Sequence, residues 1–161
     1  MKTIFACAVL GIGLAACAGG VAGVVARGPL GEGERVYVPV SRSMEVTAGE
    51  LVVSERAATF RQRKGSMELA YARKLDENEV TQDSWFGGVG GPEVHLYKVV
   101  NATEYFEANK RGNGVCGTPV MWMAFSPKEN GDLSLCEVTD AGGSLAPDQP
   151  TVCACGVYMP K

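Results

Sequence analysis

The chain has 161 residues, of which 46% are hydrophobic and 20% are charged, a composition typical of one ordinary globular domain. Its 21 glycines and 7% aromatic residues fit neither a collagen-like chain nor a coiled coil. The formal net charge is −3, which argues against a general nucleic-acid binder, because such proteins carry clustered positive charge.

The chain begins with a segment typical of secretory signals. Lys2 precedes an apolar stretch from Ile4 to Leu14, which small residues follow, and this is the order of regions in a signal peptide. The tetrapeptide Leu14-Ala15-Ala16-Cys17 resembles the lipobox of bacterial lipoproteins. The resemblance implies that residues 1–16 are removed and that the Cys17 thiol is diacylated at the new N-terminus.

A transmembrane anchor is the alternative interpretation of the same segment. No charged residue occurs over the 24 residues from Thr3 to Ala26, which is long enough to cross a hydrocarbon core. The second half of that run is mostly Gly, Ala and Val, so we favour the lipid anchor. Ala18 stands where an aspartate would resemble an inner-membrane retention signal. We therefore expect the protein at the outer membrane, facing the periplasm.

The mature chain divides into two parts by composition. Residues 17–34 are rich in Gly and Ala and lack large side chains, so we predict a tether that spans about 20–25 Å as a coil. Residues 35–161 alternate short apolar runs with turn residues, and we predict one globular domain there.

The predicted domain is α+β and mostly β. Strands are predicted over 35–40, 44–53 (two short strands, or one bent at Ala48-Gly49), 67–73, 93–100, 119–125, 133–139 and 151–159. Asn101 and Glu104 resemble a capping box, and Gly112 follows two basic residues, so one short helix is predicted between them. These elements favour a small antiparallel sheet or a sandwich-like domain.

Four cysteines remain once Cys7 leaves with the signal and Cys17 takes the lipid. They are Cys116, Cys136, Cys153 and Cys155, and an even number in an exported domain indicates two disulfides. Cys153 and Cys155 are two apart on a predicted strand, which puts both side chains on one face with Cα atoms ~6.6 Å apart. That distance is near the outer limit for a bridge. Each should therefore pair with Cys116 or Cys136.

The predicted hairpin favours one of the two remaining pairings. If strands 133–139 and 151–159 are antiparallel neighbours, Cys136 lies opposite residue 154 or 155. We therefore favour Cys136–Cys155 with Cys116–Cys153, and a slip of one residue gives the other arrangement. Either pattern links the strands of the C-terminal half.

The same cysteines could instead bind a metal. Cys153 and Cys155 form a CxC pair, and Met121, Met123 and Met159 could add soft ligands for Cu(I). Met121 and Met123 flank Trp122 in an apolar run, where methionine usually fills a core. We therefore predict no metal and no cofactor, and keep a periplasmic copper-binding protein as the alternative function.

Signals for catalysis are weak. His95 is the single histidine, and no nucleophile elbow of the G-x-S-x-G type accompanies it. The glycine-rich run 87–91 has no following Lys-Ser/Thr pair, so it does not match a phosphate-binding loop. We predict that the protein is not an enzyme.

Two further features could serve a partner. Four basic residues lie close together, namely Arg56, Arg61, Arg63 and Lys64. An acidic stretch follows them in the sequence. The four basic residues are either solvated loop residues or a surface for anionic envelope polymers or lipid headgroups. Trp85-Phe86 is either a core anchor or an exposed recognition pair.

The run Asn113-Gly114-Val115-Cys116-Gly117, with Trp122 and Cys136, resembles the C-terminal region of small uncharacterised envelope lipoproteins of Gram-negative bacteria. The general plan also resembles the lysozyme-inhibitor lipoproteins, which are lipid-anchored, disulfide-bearing and β-rich, although no inhibitory motif matches. We predict a lipid-anchored cell-envelope protein, a non-enzymatic binding or structural module for an envelope protein or cell-wall partner.

Overall fold

The computed structural model describes residues 27–76, 93–110, 116–139 and 152–161. The predicted signal peptide, Cys17, Trp85-Phe86 and the glycine-rich run 87–91 lie outside these residues. The elements in chain order are β1 Arg35–Pro39, α1 Arg42–Thr47, β2 Leu51–Ser54, β3 Ala57–Phe60, β4 Met67–Lys74, β5 His95–Val99, α2 Ala102–Asn109, β6 Trp122–Pro127, β7 Leu133–Val138 and β8 Val152–Pro160.

The eight strands form one closed antiparallel barrel. Each strand pairs with the next along the chain, and β1 closes the barrel by pairing with β8, with Val38 opposite Met159. The prediction of a mostly β, antiparallel domain is confirmed. The closed barrel is more specific than a sheet or a sandwich-like domain, and it follows from the pairing of the first and last strands.

One predicted strand is partly wrong. The first half of 44–53 is helix α1, and only Leu51–Ser54 is a strand. The Ser41 side chain caps α1 by accepting a hydrogen bond from the Met44 amide at 3.3 Å, and the Met44 side chain is buried. Capping and burial therefore outweigh the strand preference of Val46 and Thr47. Gly49, at φ 70°, then turns the chain into β2.

Helix α2 is confirmed, but its predicted capping box is not. The Asn101 side chain makes no capping hydrogen bond. Its Oδ1 accepts from the Glu68 amide and its Nδ2 donates to the Ser66 carbonyl, both at 2.9 Å. Asn101 therefore ties the start of α2 to the start of β4.

Large side chains fill the inside of the barrel. Inward positions alternate along each strand, as the two-residue period of a strand requires. Tyr97, Phe125 and Tyr158 are fully buried at the centre, and the rings of Tyr97 and Phe125 meet edge to face at 5.5 Å. An eight-stranded barrel has an interior that side chains can just fill.

The segment before β1 packs against one end of the barrel. Leu30 is buried in the inner core, and the Gly28 amide donates to a Glu55 carboxylate oxygen. The other Glu55 oxygen accepts from the Tyr97 hydroxyl at 3.1 Å. Residues 28–30, within the predicted tether, are therefore part of the packed body.

The wall formed by β5–β8 is also apolar on its outer face. Leu96, Ala124, Cys136 and Val138 form a second buried cluster there, against which Trp122 packs. Strand β7 is buried along its whole length on both faces. On the opposite wall, outward residues such as Glu68 and Ala70 are exposed.

Candidate functional site

A buried ion pair lies inside one end of the barrel, the end that carries α1 and α2. Arg63 comes from the turn between β3 and β4, and Glu137 from the inner face of β7. The Arg63 Nη1 donates to Glu137 Oε1, and the two side chains are only 3% and 2% exposed. Buried charges persist in a protein when they are paired in this way.

Aromatic side chains surround the Arg63 guanidinium. Its carbon lies 4.5 Å from the centre of the Phe60 ring, a cation–π distance. The Tyr105 hydroxyl lies beside the guanidinium without reaching hydrogen-bond geometry. Among the described residues, Arg63 Nε and Nη2 and the Tyr158 hydroxyl also have no hydrogen-bond partner.

A cavity of about 20 Å³ adjoins these groups. Arg63, Tyr105, Asn109, Cys116 and Glu137 are among its lining residues. A water molecule needs roughly 10–15 Å³ of such space and two or more polar partners. The cavity is therefore large enough for one water, or for one small ligand atom.

Burial controls the ionisation of this cluster. Desolvation raises the pKa of Glu137, and the neighbouring Arg63 opposes that rise. Desolvation alone would lower the pKa of Arg63, but the attraction of Glu137 outweighs it and the net shift is upward. Burial also raises the pKa of Tyr105 to about 12. The Tyr105 hydroxyl is therefore neutral at physiological pH.

A disulfide lies against the free oxygen of Glu137. Cys116 and Cys153 are bridged, with Cα atoms 5.5 Å apart. Glu137 Oε2 lies 3.3 Å from Cys116 Sγ and 3.9 Å from Cys153 Sγ. The second disulfide joins Cys136 to Cys155, with Cα atoms 4.1 Å apart. Both bridges match the favoured pairing, and Cys136 is directly opposite Cys155.

The prediction that Cys153 and Cys155 share one face is wrong. The β7–β8 register shifts between Glu137 and Val138, so that Ala154 pairs with Glu137 but Val152 pairs with Val138. Cys153 is the extra residue of this bulge. It packs with the inner core, whereas Cys155 packs with the outer cluster. The CxC pair is therefore divided between the two faces of the wall.

The methionines of the copper hypothesis are also separated. Met123 is fully buried in the inner core, and Met159 is 44% exposed. Met159 lies six residues beyond Cys153 on β8, about 20 Å along a strand. Met121 packs against the inner core, as Cys153 does, but the structure does not bring Cys153, Cys155, Met123 and Met159 together as one ligand set.

His95 faces the inside of the barrel at the end opposite Glu137. Its Nδ1 lies 3.4 Å from the Tyr71 hydroxyl, and its Nε2 lies 3.6 Å from a Glu93 oxygen. Burial lowers the pKa of His95, and Glu93 opposes that shift. His95 is therefore a buried residue of the sheet.

The basic run does not form one surface. Arg63 is buried, whereas Arg56, Arg61 and Lys64 are exposed.

The ion pair between Arg63 and Glu137 was not predicted, although the sequence around Glu137 contains an indication of it. Leu133, Leu135 and Glu137 occupy alternate positions of one strand, so Glu137 is a charged residue on a face that is otherwise apolar.

None of the protein-family models, curated proteins or solved structures compared with the chain matches it. Within the described ranges, neither helix has the length and apolar character needed to cross a membrane.

Proposed function

We propose that the chain is a lipid-anchored cell-envelope protein whose barrel binds a protein or cell-wall partner without catalysing a reaction. The observation that supports this is the filled interior. Tyr97, Phe125 and Tyr158 occupy the space in which barrels of this size hold a small ligand when they have a lumen. A large partner is therefore bound by the outside of the barrel.

The face around α1 has the composition of a small interface. Val40 and Val46 are 55% and 62% exposed, and they border a depression of about 650 Å³ together with Arg42, Glu45 and Gln62. An apolar centre with a polar rim is typical of protein interfaces. The buried Met44 and the Ser41 cap hold α1 in place, so this face is organised before a partner binds.

Crosslinking in the native envelope tests this surface. A photoreactive residue replacing Val46 should capture a partner, whereas the same residue replacing the exposed Glu129, at the other end of the barrel, should not. Capture should fall at least tenfold when Val40→Asp is added. Equal products at both positions, or none at Val46, would contradict the assignment of this face.

The anchor is tested by mass. The mature protein should begin at Cys17 and carry a diacylglyceryl group, and Cys17→Ser should accumulate as an uncleaved precursor. A transmembrane anchor would leave the chain uncleaved with or without the substitution. Intact-mass measurement of both proteins from membranes distinguishes the two.

A further inference from the structure

We propose that Cys116, Cys153 and Glu137 form a redox-gated metal site, which binds one thiophilic divalent cation such as Zn²⁺ when the Cys116–Cys153 disulfide is reduced. This site is separate from the α1 face and does not depend on the anchor. Its ligands also differ from the CxC pair considered for copper, because the Cys155 side chain packs in the cluster on the outer face of the barrel.

The three ligand atoms already have suitable spacing. The two sulfur atoms and a Glu137 oxygen lie within 4.8 Å of one another. With Zn–S near 2.3 Å and Zn–O near 2.1 Å, a tetrahedral site places sulfur and oxygen about 3.6 Å apart. Glu137 Oε2 lies 3.3 Å from Cys116 Sγ and 3.9 Å from Cys153 Sγ. Only the two sulfurs need to separate, which breaking their bond permits.

Arg63 orients the carboxylate. It binds Glu137 Oε1, which leaves Oε2 directed at the sulfurs. Carboxylate ligands of metals are commonly held by such a second hydrogen bond, which fixes their direction. Arg63 is thus a positioning residue, and it also lines the cavity beside Glu137.

The charges balance in both states. In the oxidised state, Arg63 and Glu137 form a neutral pair. In the metal-bound state, two thiolates and one carboxylate carry −3, while the cation and Arg63 carry +3. A buried site with no net charge avoids the large cost of an isolated ion. A divalent cation therefore fits better than Cu(I), which would leave a net charge of −1.

The cavity supplies the fourth position. It adjoins Cys116 and Glu137 and has a volume of about 20 Å³, which is enough for one water. Three protein ligands and one water complete the four-coordinate geometry that Zn²⁺ prefers.

The gating reaction is a thiol–disulfide exchange with a dithiol reductant. The dithiol provides two electrons and two protons and becomes a disulfide, while the Cys116–Cys153 bond breaks to give two thiols. Metal binding then displaces the two thiol protons. The Cys136–Cys155 disulfide is not expected to give a metal site on reduction, because it packs in an apolar cluster with Leu96, Ala124 and Val138, which offer no further ligand.

Cobalt titration tests the site in the full-length protein. The chain is reduced with a dithiol, separated from it without oxygen, and titrated with Co²⁺ and then Zn²⁺. We expect one Co²⁺ per reduced chain, with the visible absorption of tetrahedral thiolate coordination, release of two protons, and displacement by Zn²⁺. The oxidised chain should bind at least 100-fold more weakly.

Three variants, two of them a matched pair of double cysteine substitutions, locate the ligands. Cys116→Ala/Cys153→Ala should abolish the absorption, whereas Cys136→Ala/Cys155→Ala should retain it. Glu137→Gln should weaken binding at least tenfold. Near-ultraviolet circular dichroism reports whether each reduced protein is folded. Absence of stoichiometric binding, a reduced chain that unfolds and so loses the site, or binding that survives loss of Cys116 and Cys153 would each overturn the proposal.

Discussion

The two disulfides of the barrel each use one cysteine of β8, and these two cysteines are only two residues apart. The bridges nevertheless lie on opposite faces of the barrel wall. Cys153 reaches inward to Cys116, beside the Glu137 carboxylate, and Cys155 reaches outward to Cys136. The outer bridge is surrounded by apolar side chains. A single bulge in the β7–β8 ladder causes the difference, because one extra residue reverses the face on which the following side chains lie.

This comparison separates packing from chemistry. The outer bridge strengthens an apolar cluster, and the side chains of that cluster carry no ionisable group. The inner bridge is in contact with a buried carboxylate that also holds a buried guanidinium. The inner face of the wall should therefore be the more sensitive of the two to substitution, reduction and metal ions.

The largest expected effect is loss of one partner of the ion pair. Arg63→Met should destabilise the fold by about 3–5 kcal/mol, because the Glu137 carboxylate is left buried and unpaired. The exposed neighbour Arg61 provides the control, and Arg61→Met should change stability by less than about 0.5 kcal/mol. Urea unfolding at neutral pH measures both.

Removing the carboxylate as well sharpens this test. Arg63→Met/Glu137→Leu should recover much of the loss, since an apolar pair can replace a buried ion pair at little cost. A double variant as unstable as Arg63→Met would show that the ion pair is not the cause.

The next effect compares the disulfides directly. Cys116→Ala/Cys153→Ala opens a loop of 37 residues and Cys136→Ala/Cys155→Ala one of 19. With the Cys136–Cys155 bridge intact, however, Cys116 and Cys153 are separated by a path of only about 22 residues, so loop entropy predicts a loss of about 3 kcal/mol for each variant. Denaturant unfolding of the two variants, each with its other bridge intact, provides the measurement. A clearly larger loss for the outer pair would mean that apolar packing around Cys136, rather than loop entropy, dominates.

The smallest effect concerns the other end of the inner face. Burial lowers the pKa of His95 in the folded state, so between the folded and unfolded pKa values the unfolded chain binds more protons. Stability should therefore be fully present above pH 6.5 and decline as the pH falls below it. Because His95 is the only histidine, His95→Gln should remove this component. Unfolding curves at pH 7.5 and 5.5 compare the two proteins, and equal pH dependence would contradict the prediction.

Local patterns predicted much of the fold, and non-local contacts determined the rest. The alternation of apolar residues located most strands, and the assumed β7–β8 hairpin favoured the correct disulfides. Barrel closure joins residues such as Val38 and Met159, more than a hundred positions apart, and no local pattern encodes that pairing. Helix α1 was missed because the Ser41 cap and the burial of Met44 outweighed strand preference.

The site was harder to predict than the fold. Arg63 and Glu137 are 74 positions apart, and Arg63 stood in the sequence as one of four basic residues. The bulge that separates Cys153 from Cys155 also follows from tertiary pairing. The cleavage site and the lipid on Cys17 lie outside the described residues and stay predictions.

The hydrogen bond from the Gly28 amide to Glu55 fixes the end of the barrel at which the N-terminal segment joins it. Only ten residues separate Cys17 from Gly28. Fully extended, the tether of a lipid-anchored chain therefore spans at most about 40 Å, whereas a tether that ended at Arg35 would span about 65 Å. The tether joins the barrel at the end where β2 turns into β3, and the Arg63–Glu137 pair lies at the other end. If the chain is held at Cys17, α1, α2 and the inner disulfide lie at the end of the barrel farther from the point where the tether attaches.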